Sequence, residues 1–180
     1  LSFVSSVFAY ALRMGVAKEN PCSRIVLPER QESEKKIFTI EETQAFLDAL
    51  DGEPLRYVVF FVLAIFGGYR REERLGFEFR DFNFTTNVVT VERVSLYDPA
   101  HGIFTGPPKT ARSHRSLKLP VWIFDMVKAL RAEQSMRRME LGDQWHESGR
   151  LFTKLDGSPA RPGDFYDWGK ELCERHGLPW

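Results

Sequence analysis

Residues 57–66, YVVFFVLAIF, carry no charge, and they run straight into GGYRREERLGFEFRDF at 67–82. Crossing a bilayer takes about 20 apolar residues, so a run this short has to be buried inside protein. Its Val, Phe and Ile favour strands, but the length and nearly polar-free interior of 55–66 predict a fully buried helix. The charged stretch still reads as helical, and long charged side chains are almost never fully buried unless paired. The junction is therefore either a solvated helix start or a built polar site.

The 180 residues, 43% of them hydrophobic and 13% aromatic, suit one ordinary domain with room for a fragment of a second. Lys+Arg and Asp+Glu balance at 25 each, so net charge announces neither a nucleic-acid nor a membrane partner. An electrostatic footprint must be a local patch. Cys22 and Cys173 match no metal or redox spacing and read as reduced, buried or half-buried thiols of a cytosolic protein, with a structural disulfide as the alternative. No signal peptide opens the chain, and the expected location is cytoplasmic, away from membranes. The chain starts inside a helical pattern and ends at Trp180 without a polar tail, and both ends are expected to be cuts.

Val4, Val7, Phe8, Ala11, Leu12 and Met14 recur at helical spacing up to Gly15, and the segment closes at Pro21. PERQESEKK at 28–36 has the composition of an exposed linker, which sets a domain boundary there. Thr39 with Glu42 three residues on forms the pattern of a capping box, opening a helix that reaches about Leu50. From Phe82 to Pro120 alternating β-branched segments, broken by the turn material DPAHG, predict a small antiparallel sheet of about three strands. A helical face returns at Trp122, Ile123, Met126, Val127 and Leu130 and continues toward Met139. RLFTKLDGSPARP then predicts a short strand and a turn, and a last helix runs from Asp164 to His176.

Two stretches carry candidate chemistry. In a helix, Arg70, Glu73 and Arg74 share a face, so the carboxylate can hold the Arg70 guanidinium in a fixed pose. The planar fork of an arginine suits phosphate and keeps its charge when partly desolvated. On pattern alone, a surface helix with ordinary ion pairs is the stronger reading. The second stretch, TGPPKTARSHRSLK at 105–118, holds Lys109, Arg112, Arg115 and Lys118 with no acidic residue. Such a hairpin can follow a phosphate backbone, with hydroxyls such as Ser113 adding contacts; a charge-protected edge strand accounts for it equally well. The four histidines form no ligand spacing, so no metal site is expected, and no nucleotide-binding or nucleophile-elbow motif is present.

Together these stretches resemble a known family. GGYRREERLGFEFRDFNF is similar to the GLRRGELLGLRWSDID signature of tyrosine recombinases of the phage integrase family, and PPKTARSHRSLKLP resembles that family's PKTxxSxRxIPLP hairpin. The order of the two motifs also matches. ALRMGVAKENPC resembles the last helix of the family's core-binding domain, and the segment from Leu151 to Trp180 resembles the approach to its next catalytic box, so the likeness covers nearly the whole chain.

The resemblance implies a mainly α fold with a small antiparallel sheet (α+β). It implies the end of a core DNA-binding domain at 1–27, a linker at 28–37 and the N-terminal part of a catalytic domain at 38–180. It assigns Arg70 to the scissile phosphate, Glu73 to orienting Arg70, and Lys109 to protonating the 5′-hydroxyl leaving group. Arg112, Ser113, Arg115 and Lys118 are the candidate DNA contacts. The implied activity is site-specific recombination through a 3′-phosphotyrosyl intermediate, with no metal or other cofactor. Implied partners are double-stranded DNA and further recombinase subunits, which act as a tetramer. An alternative is a non-enzymatic DNA-binding module on the same scaffold.

The chain departs from the family at Arg74, where an aliphatic residue is usual, so Arg74 is expected to reach solvent or compete for Glu73. No His-x-x-Arg occurs, and all five tyrosines precede the point where the family's nucleophile belongs. The 180 residues alone are accordingly expected to be inactive.

Overall fold

The first element of the chain is a helix that buries none of its own side chains. It is α1 (Ser2–Arg13), and it precedes a 3-10 turn at Pro21–Arg24. The computed structural model describes residues 2–26, 37–109 and 113–180. Contacts divide the chain into two compact units, Leu1–Ile37 and Phe38–Trp180. In the first, Asn20 folds the segment after α1 back onto the helix. Its amide nitrogen donates to Ser5 O and Ser5 Oγ, both at 3.1 Å, while its Oδ1 accepts from Cys22 N at 3.0 Å. The linker expected at 28–37 lies, up to residue 36, outside the described residues.

In the second unit, α2 (Ile40–Ala49) starts on the capping box read from the sequence: Glu42 N donates to Thr39 Oγ1 at 3.1 Å and Thr39 N to Glu42 Oε2 at 2.7 Å. The apolar run is α3 (Leu55–Gly67), with Val59, Phe60, Phe61, Val62 and Leu63 buried. Side chains from the far end of the chain meet it, among them Phe152 and, from α6 (Pro162–Arg175), Phe165 and Trp168, with Phe60 stacked on Phe165 at 4.1 Å between centroids. α5 (Val121–Leu141) packs along α3 through Ile123, Phe124, Val127 and Leu130. Aromatic rings bury large areas and lock edge to face, so α3 becomes the axis of the core. Both cysteines are free thiols, Cys173 buried and Cys22 half-buried. Among the described residues no helix is long and apolar enough to cross a membrane.

The sheet differs from expectation. The described residues form five strands in two sheets rather than about three in one. β1 (Phe82–Asn83), β2 (Val88–Thr90) and β5 (Ser116–Lys118) make an antiparallel sheet with Val89 opposite both Phe82 and Leu117. β3 (Val94–Asp98) and β4 (Gly102–Gly106) make a separate hairpin. VVTVERV reads as one strand but is divided after Thr90. Arg93 is drawn toward Asp81 (2.6 Å) and Glu78 (3.5 Å), and its carbonyl comes close to Gly76.

The strand expected within RLFT is likewise not formed. Arg150 makes a lone bridge to Glu78 and Thr153 one to Pro159. Arg150 is buried, and its Nη1 donates to Gly76 O at 2.6 Å, meeting a carbonyl at the end of the short helix α4 (Arg71–Gly76) that would otherwise be orphaned.

Candidate functional site

The charged stretch is not a continuation of α3. Gly68 turns left-handed (φ 58°) and closes that helix, Tyr69 lies outside any helix, Arg70 is extended, and α4 begins only at Arg71. A side chain at Gly67 would overlap the Tyr69 ring, which folds into the core with 3% exposure. Burial pushes the Tyr69 hydroxyl up to about 12, the nearby Arg115 working against that shift.

Arg70 is thus the cap of α4 rather than a residue on its face, and the cap is what brings it to Glu73. Glu73 Oε2 accepts the Arg70 amide at 2.9 Å and its Oε1 accepts Arg70 Nη1 at 3.0 Å. The glutamate is 1% exposed, whereas the Arg70 side chain stays 68% exposed. One end of the guanidinium is held and the remainder faces outward.

A second arginine shares this carboxylate. Arg115, just ahead of β5, places Nη1 on Oε1 at 3.0 Å and Nη2 on Oε2 at 2.9 Å, the bidentate fork of a strong charge-assisted pair. Burial alone would raise the Glu73 pKa, but the bonds from Arg115 and then Arg70 outweigh it and hold the group below its ordinary value. The same bond raises Arg115. Arg115 entered the sequence reading as a DNA contact; in the structure its guanidinium is paired with Glu73. Nothing in the local sequence signals this, since the partners lie 42 residues apart.

Arg74 is half-buried and does not bond Glu73. Its guanidinium turns back under α3, donates to Phe60 O at 2.9 Å and lies 3.9 Å from the Phe60 ring centre. Burial brings it down to about 10. Arg71 and Glu72 pair with each other at the surface (2.9 Å).

Arg70, Glu72, Glu73, Lys109 and Ser113 line one groove of about 550 Å³, whose apolar wall is Val94, Leu96 and Pro107. Two candidates from distant stretches, Arg70 and Lys109, therefore face a common space. Ser113 is buried at its edge, and Lys118 is exposed on β5 opposite Val88 without lining it. Arg112 lies outside the described residues. The wall residues β3 contributes had no signal in the sequence, where Val94 and Leu96 read only as strand. No three His, Cys, Asp or Glu side chains cluster as metal ligands among the described residues.

The arrangement defines a class: an α+β domain with an outward-facing arginine and a lysine across one groove. No protein-family model matches the chain. It is 28% identical over 99% of its length to the tyrosine recombinase XerC-like protein of Caldanaerobacter subterraneus subsp. tengcongensis, covering 50% of that protein. Its fold matches the Tn1549 transposon integrase solved with a circular intermediate DNA, with a TM-score of 0.76 at 17% identity, over 96% of this chain and 55% of that one. The lambda integrase tetramer bound to a Holliday junction matches with a TM-score of 0.61 at 15% identity, over 99% of this chain and 45% of that one. In sequence the chain is similar to a tyrosine recombinase and to integrases, and in fold to integrases. It spans about half the length of the curated relatives it matches.

Proposed function

We propose that the chain is part of a site-specific DNA recombinase that cuts and rejoins strands through a 3′-phosphotyrosyl intermediate. The observation that carries this reading is the groove shared by Arg70 and Lys109. In it Arg70, held by Glu73 at one nitrogen, offers its remaining donors to a scissile phosphate. Preorganised donors aimed at developing charge are usually the largest catalytic contribution. As a tyrosine oxygen bonds to phosphorus, the bond to the 5′ oxygen breaks, and Lys109 supplies the proton that oxygen needs.

On this reading residues 1–27 close a DNA-binding core domain and 38–180 begin the catalytic domain, with double-stranded DNA and further recombinase subunits as partners. None of the five tyrosines lines the groove among the described residues. The 180-residue chain therefore binds DNA without cutting it. Binding of a short duplex is expected to weaken steeply with salt, and Arg70→Ala or Lys109→Ala to reduce both affinity and the salt slope. A nicked suicide substrate is expected to yield no covalent adduct. Affinity indifferent to salt and to both substitutions overturns the DNA reading; an adduct overturns the inactivity.

A further inference from the structure

An ionised carboxylate offers about four lone-pair sites, and in Glu73 all four are taken. Arg70 Nη1 and Arg115 Nη1 share Oε1, while the Arg70 amide and Arg115 Nη2 share Oε2. Arg115 is itself fixed: its carbonyl accepts Val91 N at 2.9 Å, beside the β2–β5 pair, and its Nη2 also leans on Gly68 O at 3.4 Å. The Arg70 side chain, in contrast, is mostly exposed, and no acceptor binds its Nε or Nη2 among the described residues.

We propose that Arg115 is a positioning residue for Arg70, acting through Glu73 rather than by touching DNA. By occupying half of the carboxylate's sites from the sheet side of the fold, it leaves Glu73 one orientation, and that orientation aims the Arg70 fork into the groove. Lys109 and Arg115 also bracket the same connection between β4 and β5, Lys109 three residues after Gly106 and Arg115 one before Ser116. The clamp thus joins the chain just ahead of β5 to the cap carrying the arginine. A lysine at 115 keeps the charge but lacks the planar fork, so it cannot fill both oxygens.

The inference rests on Arg70 being the phosphate grip, and a double-mutant cycle separates the two. Affinity for a short DNA duplex is measured at fixed low salt for the wild-type chain, Arg70→Ala, Arg115→Gln, Arg115→Lys and Arg70→Ala/Arg115→Gln, each checked for folding by circular dichroism. Residues that act as a unit do not add. Arg115→Gln is expected to lose affinity to within about twofold of Arg70→Ala, the margin at which independent effects are resolved, and the double variant to lose no more. Arg115→Lys should not restore the affinity. It also decides the matter if Arg115→Gln does not fold. Additive losses mean that Arg115 contacts DNA on its own account and overturn the proposal, as does wild-type affinity in a folded Arg115→Gln or Arg115→Lys.

Nitrogen-15 spectra of the arginine side chains supply a readout independent of DNA. The Arg70 Nη signals are expected to show hindered rotation in the wild type and free rotation in Arg115→Gln; hindered rotation in both overturns the inference. If Arg70→Ala binds DNA like the wild type, the phosphate reading fails while these spectra still decide the clamp.

Discussion

Arg115 sets its two terminal nitrogens on the two oxygens of Glu73, at 3.0 and 2.9 Å, from 42 residues further along the chain. Glu73 is 1% exposed, so removing it strips a half-buried guanidinium of its counter-charge and the Arg70 amide of its acceptor. Breaking a fully buried pair costs about 3–5 kcal/mol, and the exposure of both arginines lowers the expectation for Glu73→Ala to about 2–3 kcal/mol. Urea unfolding with an unchanged m-value measures it. A loss below about 0.5 kcal/mol, the scatter of ordinary surface substitutions, contradicts the clamp.

The same bonds set a pH dependence. The folded pKa of Glu73 lies below its ordinary value of 4.5, because hydrogen bonds from Arg115 and Arg70 outweigh the upward push of burial. A depressed carboxylate stabilises the fold fully above the unfolded pKa, and this contribution disappears as pH falls through the folded one. Stability should therefore drop below about pH 4.5 more steeply in the wild type than in Glu73→Gln, where the group no longer titrates. Parallel acid-unfolding curves for the two proteins run against this.

Arg74 presents the opposite case, a half-buried charge set against an aromatic ring with one carbonyl partner. Desolvation offsets much of what such a charge gains, and an apolar side chain of similar reach is often neutral or better. Arg74→Leu is expected to leave stability unchanged or raise it by about 1 kcal/mol. Arg74→Ala, which opens a space under Phe60, should cost about 2 kcal/mol. Thermal melts of the pair test this, and equal losses in both would show that the charge itself is needed.

Gly76 is where α4 meets the chain entering β3. A Cβ there would stand 2.7 Å from Arg93 O and 2.9 Å from Val94 Cα, and both neighbours are backbone that cannot swing aside. Gly76→Ala should cost about 2 kcal/mol by overpacking, and it should shift the amide resonances of Glu73 and Val94 together. Wild-type stability would mean that α4 and β3 part without penalty.

Much of the fold was legible because its signals are local. The uncharged run specified α3, Thr39 and Glu42 specified the start of α2, and the three-residue spacing of Arg70 and Glu73 already placed a carboxylate within reach of the guanidinium. The split of VVTVERV into two sheets was not legible, since it depends on Arg93 meeting Asp81 and on the absence of a side chain at Gly76. Arg150 read as the start of a short strand, yet it is buried against the last carbonyl of α4.

By itself, the sequence determined where the long helices run, where α2 is capped, and which residues carry the charge. Periodicity and capping act over three or four neighbours, so they are written in the order of residues. Only the tertiary structure decided that Arg70 and Lys109 face one groove, that Arg74 turns inward, and that Arg115 serves Glu73. Those outcomes turn on which charges are desolvated together, and that is set by packing between segments far apart in the chain.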